Sequence, residues 1–200
     1  MNKLKVGVLA SGRGSNFKAI VQKVDSAEVK VLIVDNPGAK AIEIAKEFNI
    51  PYEVVDRKKF SNKLNFEKEI TNILDSYKVE LIALAGFMRI LSPGFVEHFK
   101  WKIMNIHPSL LPSFPGLNAQ KQALDYGVRV SGCTVHFVDA GTDTGPIILQ
   151  AVVPVLDDDS PETLASRILK EEHKIYPFAI SLFAQNRLVI DGRKVKIKDI

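Results

Sequence analysis

The chain has 200 residues, 46% apolar and 25% charged, with a net charge of +4. That length and composition fit one domain or two small ones, and exclude a disordered, collagenous or coiled-coil chain. The charge excess lacks the dense basic stripe of a nucleic-acid binder, the lone Cys133 excludes an internal disulfide framework, and no apolar run approaches the roughly 18 residues of a spanning helix. The apolar start is also too short for a signal peptide, so the cytoplasm is the expected compartment.

Leu4 to Ala10 reads as a strand, followed by the turn Ser11-Gly12-Arg13-Gly14-Ser15-Asn16 and a helix over Phe17 to Val24. Val29 to Val34 is a second strand, closed by Asp35-Asn36-Pro37-Gly38. A helix over Ala39 to Phe48, a short strand over Tyr52 to Val55, a helix over Phe60 to Tyr77 and a strand over Glu80 to Ala85 follow. Strands alternating with helices predict a Rossmann-like, mostly parallel α/β sheet covered by helices on both faces.

The texture changes near residue 100. Lys102 to Ile106 reads as a strand and leads into a proline-rich stretch, then a helix over 118–126. Val130 to Val138 and Ile147 to Val155 predict an antiparallel pair. Ser160-Pro161-Glu162-Thr163 predicts a helix start with Ser160 as N-cap, running to about Ala184. A terminal hairpin turns at Asp191-Gly192.

Five motifs carry chemistry, most with a plainer structural reading beside them. The glycine turn at 11–16 feeds a helix N-terminus, which suits one terminal phosphate with hydroxyl help from Ser11 or Ser15. It is neither a dinucleotide fingerprint, since Phe17 stands where the third glycine would be, nor a Walker loop. Its plainer reading is a tight turn capped by Ser15. Asn105 and His107 end a strand and share a face, so an amide and an imidazole suit acyl transfer. A carboxylate beside that imidazole favours the imidazolium, and Asp143 can supply it, although a turn residue is its simpler role. Apolar backbone around Arg89 can seat a flat ligand or end a core strand. Glu171-Glu172 can bind an amine or lie on a solvated helix face. Histidine spacing gives no metal site, and Cys133 reads as a buried inert thiol.

Together, Ser-Gly-Arg-Gly-Ser-Asn at 11–16, Leu-Ala-Gly-Phe-Met-Arg-Ile-Leu-Ser-Pro at 84–93 and Asn-Ile-His-Pro-Ser-Leu-Leu-Pro at 105–112 resemble the phosphoribosylglycinamide formyltransferases. The resemblance continues through Pro115-Gly116, Val-His-Phe-Val at 135–138, Asp143 and Glu-His-Lys-Ile-Tyr-Pro at 172–177. It implies a single formyltransferase domain over 1–200, with a mononucleotide-binding half over about 1–100 and a folate-binding and catalytic half over about 101–200. It further implies that Gly14, Ser15 and Asn16 hold the ribonucleotide phosphate and that Lys170 and Glu172 meet the glycinamide end. By the same resemblance Lys63, Met88, Arg89, Ile90, Leu91, Asn105, Asp139, Ala140, Gly141, Thr142 and Asp143 bind folate. Asn105, His107 and Asp143 are then the catalytic trio. 10-Formyltetrahydrofolate would be a cosubstrate, with no tightly bound cofactor and no metal. The partners implied are small molecules, without nucleic acid or membrane, in a monomer or weak homodimer.

The chain departs from many relatives at Asn118-Ala119-Gln120, where they carry one or two histidines; this puts histidine-dependent loop contacts in question. Two related classes compete. Methionyl-tRNA formyltransferases normally add an RNA-binding domain, and formyltetrahydrofolate hydrolases an N-terminal regulatory one. A non-enzymatic folate-binding module would keep the loop and pocket without needing Asn105, His107 and Asp143 together.

Overall fold

The structure, a computed structural model, describes residues 3–198. Its centre is a nine-stranded sheet in the order β3-β2-β1-β4-β5-β6-β7-β9-β8. The strands are β1 (Leu4–Ala10), β2 (Ala27–Val34), β3 (Tyr52–Val54), β4 (Leu81–Leu84), β5 (Ile103–His107), β6 (Val130–Phe137), β7 (Ile147–Pro154), β8 (Leu188–Asp191) and β9 (Lys194–Ile197). β1 to β5 are parallel neighbours. β6 joins β5 antiparallel and β7 joins β6 antiparallel, as the turn-rich connection predicts. The β8–β9 hairpin meets β7 through a single parallel pairing at Ile147 and Lys194.

Among the described residues six α-helices cover the sheet: α1 (Ser15–Lys23), α2 (Ala41–Glu47), α3 (Lys63–Ser76), α4 (Pro93–His98), α5 (Ala119–Tyr126) and α6 (Pro161–Ala184). Strand alternation divides them between two faces. Val6, Val8 and Ala10 of β1 face Phe17, Ile20, Ala41 and Ile180, under α1, α2 and α6. Leu9, Ile33 and Ile82 face Phe66, Ile70, Leu74 and Phe95, under α3 and α4. The central strands are therefore buried on both sides. β3 is not: Tyr52, Glu53 and Val54 are all exposed on the sheet edge.

Several starts differ from the sequence expectation; α3 begins at Lys63 and not Phe60, because Asn62 caps it by accepting from the Asn65 N–H. α1 begins at Ser15, and its N-cap is Gly14, with φ 76° and no side-chain cap bond. Ser15 is thus the first helical residue and not the cap. Glycine is needed there because a Cβ would lie 2.7 Å from the Cβ of Ala41 in α2. The short α4 has no counterpart among the predicted elements. It is built by Ser92, whose hydroxyl accepts from the Phe95 N–H, and by Pro93 at the first turn. Ser160 caps α6 as the sequence predicts, in a reciprocal capping box with Thr163.

Candidate active site

The functional side chains gather at the C-terminal ends of β1, β4 and β5, where an open α/β sheet leaves a crevice for ligands. The glycine turn follows β1 and the Gly86–Leu91 segment follows β4. The Ser11 N–H donates to the Gly86 carbonyl at 3.1 Å. The Ser11 hydroxyl accepts from the Met88 N–H at 2.9 Å. Ser11 therefore ties the two loops together, and Ser15 is the hydroxyl left at the start of α1.

Asn16 turns from the same helix start toward α6. Its Nδ2 donates to Oε2 of Glu172 at 2.7 Å, and both residues are buried. The Asn16 Oδ1 is buried without a hydrogen-bond partner. Burial pushes the Glu172 carboxyl above its ordinary range, against the Asn16 hydrogen bond and the charge of Arg13. Lys170 lies two residues earlier on α6, is exposed, and points off a different side of the helix from Glu172.

Tyr176, one turn after Glu172, anchors α6 to the sheet. Its hydroxyl lies 3.0 Å from the Leu84 carbonyl and 2.9 Å from that of Met104, so its single hydrogen is shared between β4 and β5. Burial pushes this phenol well above its usual range and keeps it a donor. Tyr176→Phe removes the donor and is expected to cost about 1–3 kcal/mol, read as a lower denaturant midpoint at unchanged slope.

The catalytic expectation turns on β5. Asn105 and His107 share a face there, and the turn after β6 brings Asp143 to both. Asp143 Oδ2 lies 3.3 Å from His107 Nδ1. Its Oδ1 lies 3.5 Å from Asn105 Nδ2. Asp143 adopts a left-handed backbone, φ 55°, inside a turn closed tightly enough that a Cβ on Gly145 would strike the Phe137 carbonyl oxygen at 1.7 Å. His107 Nε2 lies 2.9 Å from the Phe114 carbonyl oxygen. Both ring nitrogens of His107 thus face oxygen acceptors, and only the doubly protonated ring donates to both.

One further imidazole belongs to this cluster. The β5–β6 register sets His136 opposite Asn105. His136 Nδ1 lies 2.9 Å from the Phe137 carbonyl oxygen, and its Nε2 lies 3.3 Å from Asn105 Nδ2 and 3.7 Å from Asp143 Oδ1. With a hydrogen on Nδ1, Nε2 is free to accept from the amide. The available sequence signal was the polar pair Thr134 and His136 on one face of an otherwise apolar strand. Burial works to raise the Asp143 carboxyl. The His136 and His107 imidazoles that face it and the N–H of Gly116 outweigh burial and hold the group below the ordinary carboxylate range.

The expected folate segment is anchored from beneath. Arg89 Nε pairs with buried Asp35 at 2.6 Å, which fixes the arginine to the end of β2. Met88 and Ile90 project outward, 64% and 70% exposed, while Leu91 is buried. Buried Glu67 on α3 accepts from the Ser92 N–H at 2.7 Å and also from its hydroxyl. Lys63 lies 3.8 Å from the same carboxylate, so α3 brings it to the base of this loop. Asp139, Ala140, Gly141 and Thr142 form the turn before Asp143, where Asp139 Oδ1 accepts from Gly141 N–H at 3.1 Å and from the Thr144 hydroxyl at 2.6 Å. Cys133 is buried in β6, and burial pushes its thiol up to about 12, far from a nucleophile. Among the described residues no group of three His, Cys, Asp or Glu side chains is arranged to hold a metal ion, and no helix is long and apolar enough to cross a membrane.

The glycine turn after β1 and the Asn105, His107 and Asp143 cluster thus stand at one end of the sheet, and the chain belongs to an enzyme class, the formyl transferase family, whose model matches residues 4–180. Within that family it groups with the phosphoribosylglycinamide formyltransferases. It is 48% identical to the Bacillus subtilis phosphoribosylglycinamide formyltransferase over 180 residues, 88% of this chain and 92% of that protein. It superposes on glycinamide ribonucleotide transformylase 1 from Symbiobacterium toebii with a TM-score of 0.96 at 48% identity, covering 98% and 95% of the two chains. It is also 44% identical over 193 residues to the trifunctional purine biosynthetic protein adenosine-3 of Gallus gallus, covering 94% of this chain but spanning only 19% of that relative's length. A formyltetrahydrofolate deformylase from Pseudomonas syringae shares the fold, TM-score 0.91, at 25% identity, with 99% of this chain and 67% of that one covered.

Proposed function

We propose that this chain transfers the formyl group of 10-formyltetrahydrofolate to the amine of N1-(5-phosphoribosyl)glycinamide, a step of purine biosynthesis. The observation that carries the reading is the meeting of Asn105, His107 and Asp143 at one end of the sheet, across the crevice from the α1 start. The half over about 1–100 takes the ribonucleotide, with its phosphate on Gly14, Ser15 and Asn16. Glu172, buried beside an unpartnered Asn16 oxygen, accepts from the polar hydrogens of that substrate. Lys170 serves it from the helix surface. The half over about 101–200, with Lys63 and the Met88–Leu91 segment, takes the folate, and the turn from Asp139 to Asp143 closes its pocket.

Holding both reactants in one crevice supplies proximity. The amine attacks the formyl carbon directly. Its N–C bond forms, the carbonyl oxygen becomes an oxyanion, and the bond from carbon to N10 of the folate then breaks. The Asn105 amide and the His107 imidazolium hold the oxyanion. The proton lost by the amine and the one gained by N10 balance, with His107 as the group placed to move them. Asp143 keeps His107 charged. The folate leaves deformylated, as a cosubstrate and not a resident cofactor, and no metal takes part. A monomer or weak homodimer in the cytoplasm is sufficient for this chemistry.

The hydrolase reading is weaker, since the deformylase relative is 25% identical against 48% for the ribonucleotide enzyme. The test is formyl release from a 10-formyl folate with the ribonucleotide present, absent, or replaced by initiator methionyl-tRNA. Release only with the ribonucleotide, with a formylated product, is the expected result. Release without an acceptor would replace the transferase reading with the hydrolase, and tight folate binding without turnover would leave a binding module.

A further inference from the structure

The segment after β5 crosses the His107–Asp143 pair and touches both members. The Phe114 carbonyl faces His107 Nε2 at 2.9 Å. The Gly116 N–H donates to Asp143 Oδ2 at 2.8 Å, the same oxygen that faces His107 Nδ1. Phe114 has a positive φ of 55°, which a phenylalanine rarely adopts unaided, while Gly116 takes its 77° without strain. What fixes the segment is α5. The Gln122 side-chain amide donates to the Pro115 carbonyl at 3.1 Å and to the Leu117 carbonyl at 2.8 Å, one on each side of Gly116. Both hydrogens of one nitrogen are therefore spent on this segment, one of them on the carbonyl of the very peptide group whose N–H donates to Asp143.

We infer that Gln122 is a positioning residue for the catalytic pair: by pinning the carbonyls of Pro115 and Leu117 it aims the Gly116 N–H at Asp143 and the Phe114 carbonyl at His107. The inference rests on the reading that His107 and Asp143 carry the proton chemistry. Gln122 touches neither residue, and its effect travels through the backbone of 114–117. The charged groups that face Asp143 are His107 from β5 and His136 from β6. The loop adds a directed N–H to them, and that N–H helps hold the carboxyl below its ordinary range.

Gln122→Leu removes the donor with little change in size, and Gln122→Glu keeps the shape but offers only acceptors to two carbonyls. Both are expected to lower kcat roughly tenfold, with the KM values for both substrates nearly unchanged. Asp143 takes up its proton at higher pH once the N–H is misaimed, so the acid limb of the kcat/KM profile moves to higher pH. The second readout is the chemical shift of the His107 ring, which faces the Phe114 carbonyl; followed by NMR on the free protein, it also moves. That measurement involves no turnover, so it tests the Gln122 inference even if the acceptor substrate is another amine. An unchanged ring shift and an unmoved acid limb would overturn the inference, and so would an equal loss of rate at every pH. If instead both Gln122 readouts shift while His107→Ala turns over normally, the positioning stands and the catalytic reading fails.

Discussion

Asn105→Ala is expected to lower formyl transfer roughly 10²–10³-fold, the cost of losing one oxyanion donor. The fall should lie in kcat, with KM values near those of the parent, because the amide acts on charge that develops only in the transition state. In the free protein the Asn105 Nδ2 hydrogens face His136 Nε2 at 3.3 Å and Asp143 Oδ1 at 3.5 Å. Both contacts are long, so they hold the amide loosely and contribute little to stability. One hydrogen is then free to turn to an oxyanion when it forms. The melting temperature of the variant should stay within a few degrees of the parent. Asn105→Asp is the sharper case. It keeps the shape, offers no donor when ionised, and sets a second negative charge where the oxyanion must form. Its loss should exceed that of Asn105→Ala. Steady-state kinetics on both variants checks the order, and a fall under tenfold in Asn105→Ala would remove the amide from the oxyanion site.

The parts of this site that could be read from sequence are those set by local rules. β1, β2 and β4 announce themselves as apolar runs because both faces of the sheet are covered. Ser160-Pro161-Thr163 announces α6 because each residue fills a role in one capping box. Asn105 and His107 share a face by the period of a strand alone. α4 carried a similar signal in Ser92-Pro93, but six residues are too few for a periodic apolar face, so the segment read as part of a loop. What joins distant segments was not legible. The Asp143–His107 contact depends on the strand order and on a left-handed residue in a tight turn. The His136–Asn105 contact depends on the antiparallel register of β6, which a shift of one residue would abolish. Asp35 and Glu67, which brace the segment around Arg89 and Ser92 from the end of β2 and from α3, each satisfy a partner far along the chain.

Asp143→Asn is expected to have the largest effect of any single change at this site. Asparagine tolerates the left-handed backbone that Asp143 adopts, so the turn survives while the charge is lost. His107 and His136 both lose their counter-charge, and the Gly116 N–H loses a carboxylate acceptor. Turnover should fall roughly 10²–10⁴-fold, the scale of general acid–base assistance. Stability gives an independent reading, with a definite sign. Because the fold holds the Asp143 carboxyl below its ordinary value of 3.8, its ionised form stabilises the native state, and that contribution is fully present above the ordinary value. It is lost as pH falls further, through the lowered value, where the folded carboxyl itself takes up a proton. Denaturation of parent and variant at a series of acid pH values should therefore show a gap that is present near about pH 5 and narrows in stronger acid. A gap that stayed constant through the acid range would mean that Asp143 is held by the shape of its turn and not by the charges around it. The rate loss would then have to be assigned to backbone placement rather than to the imidazolium of His107.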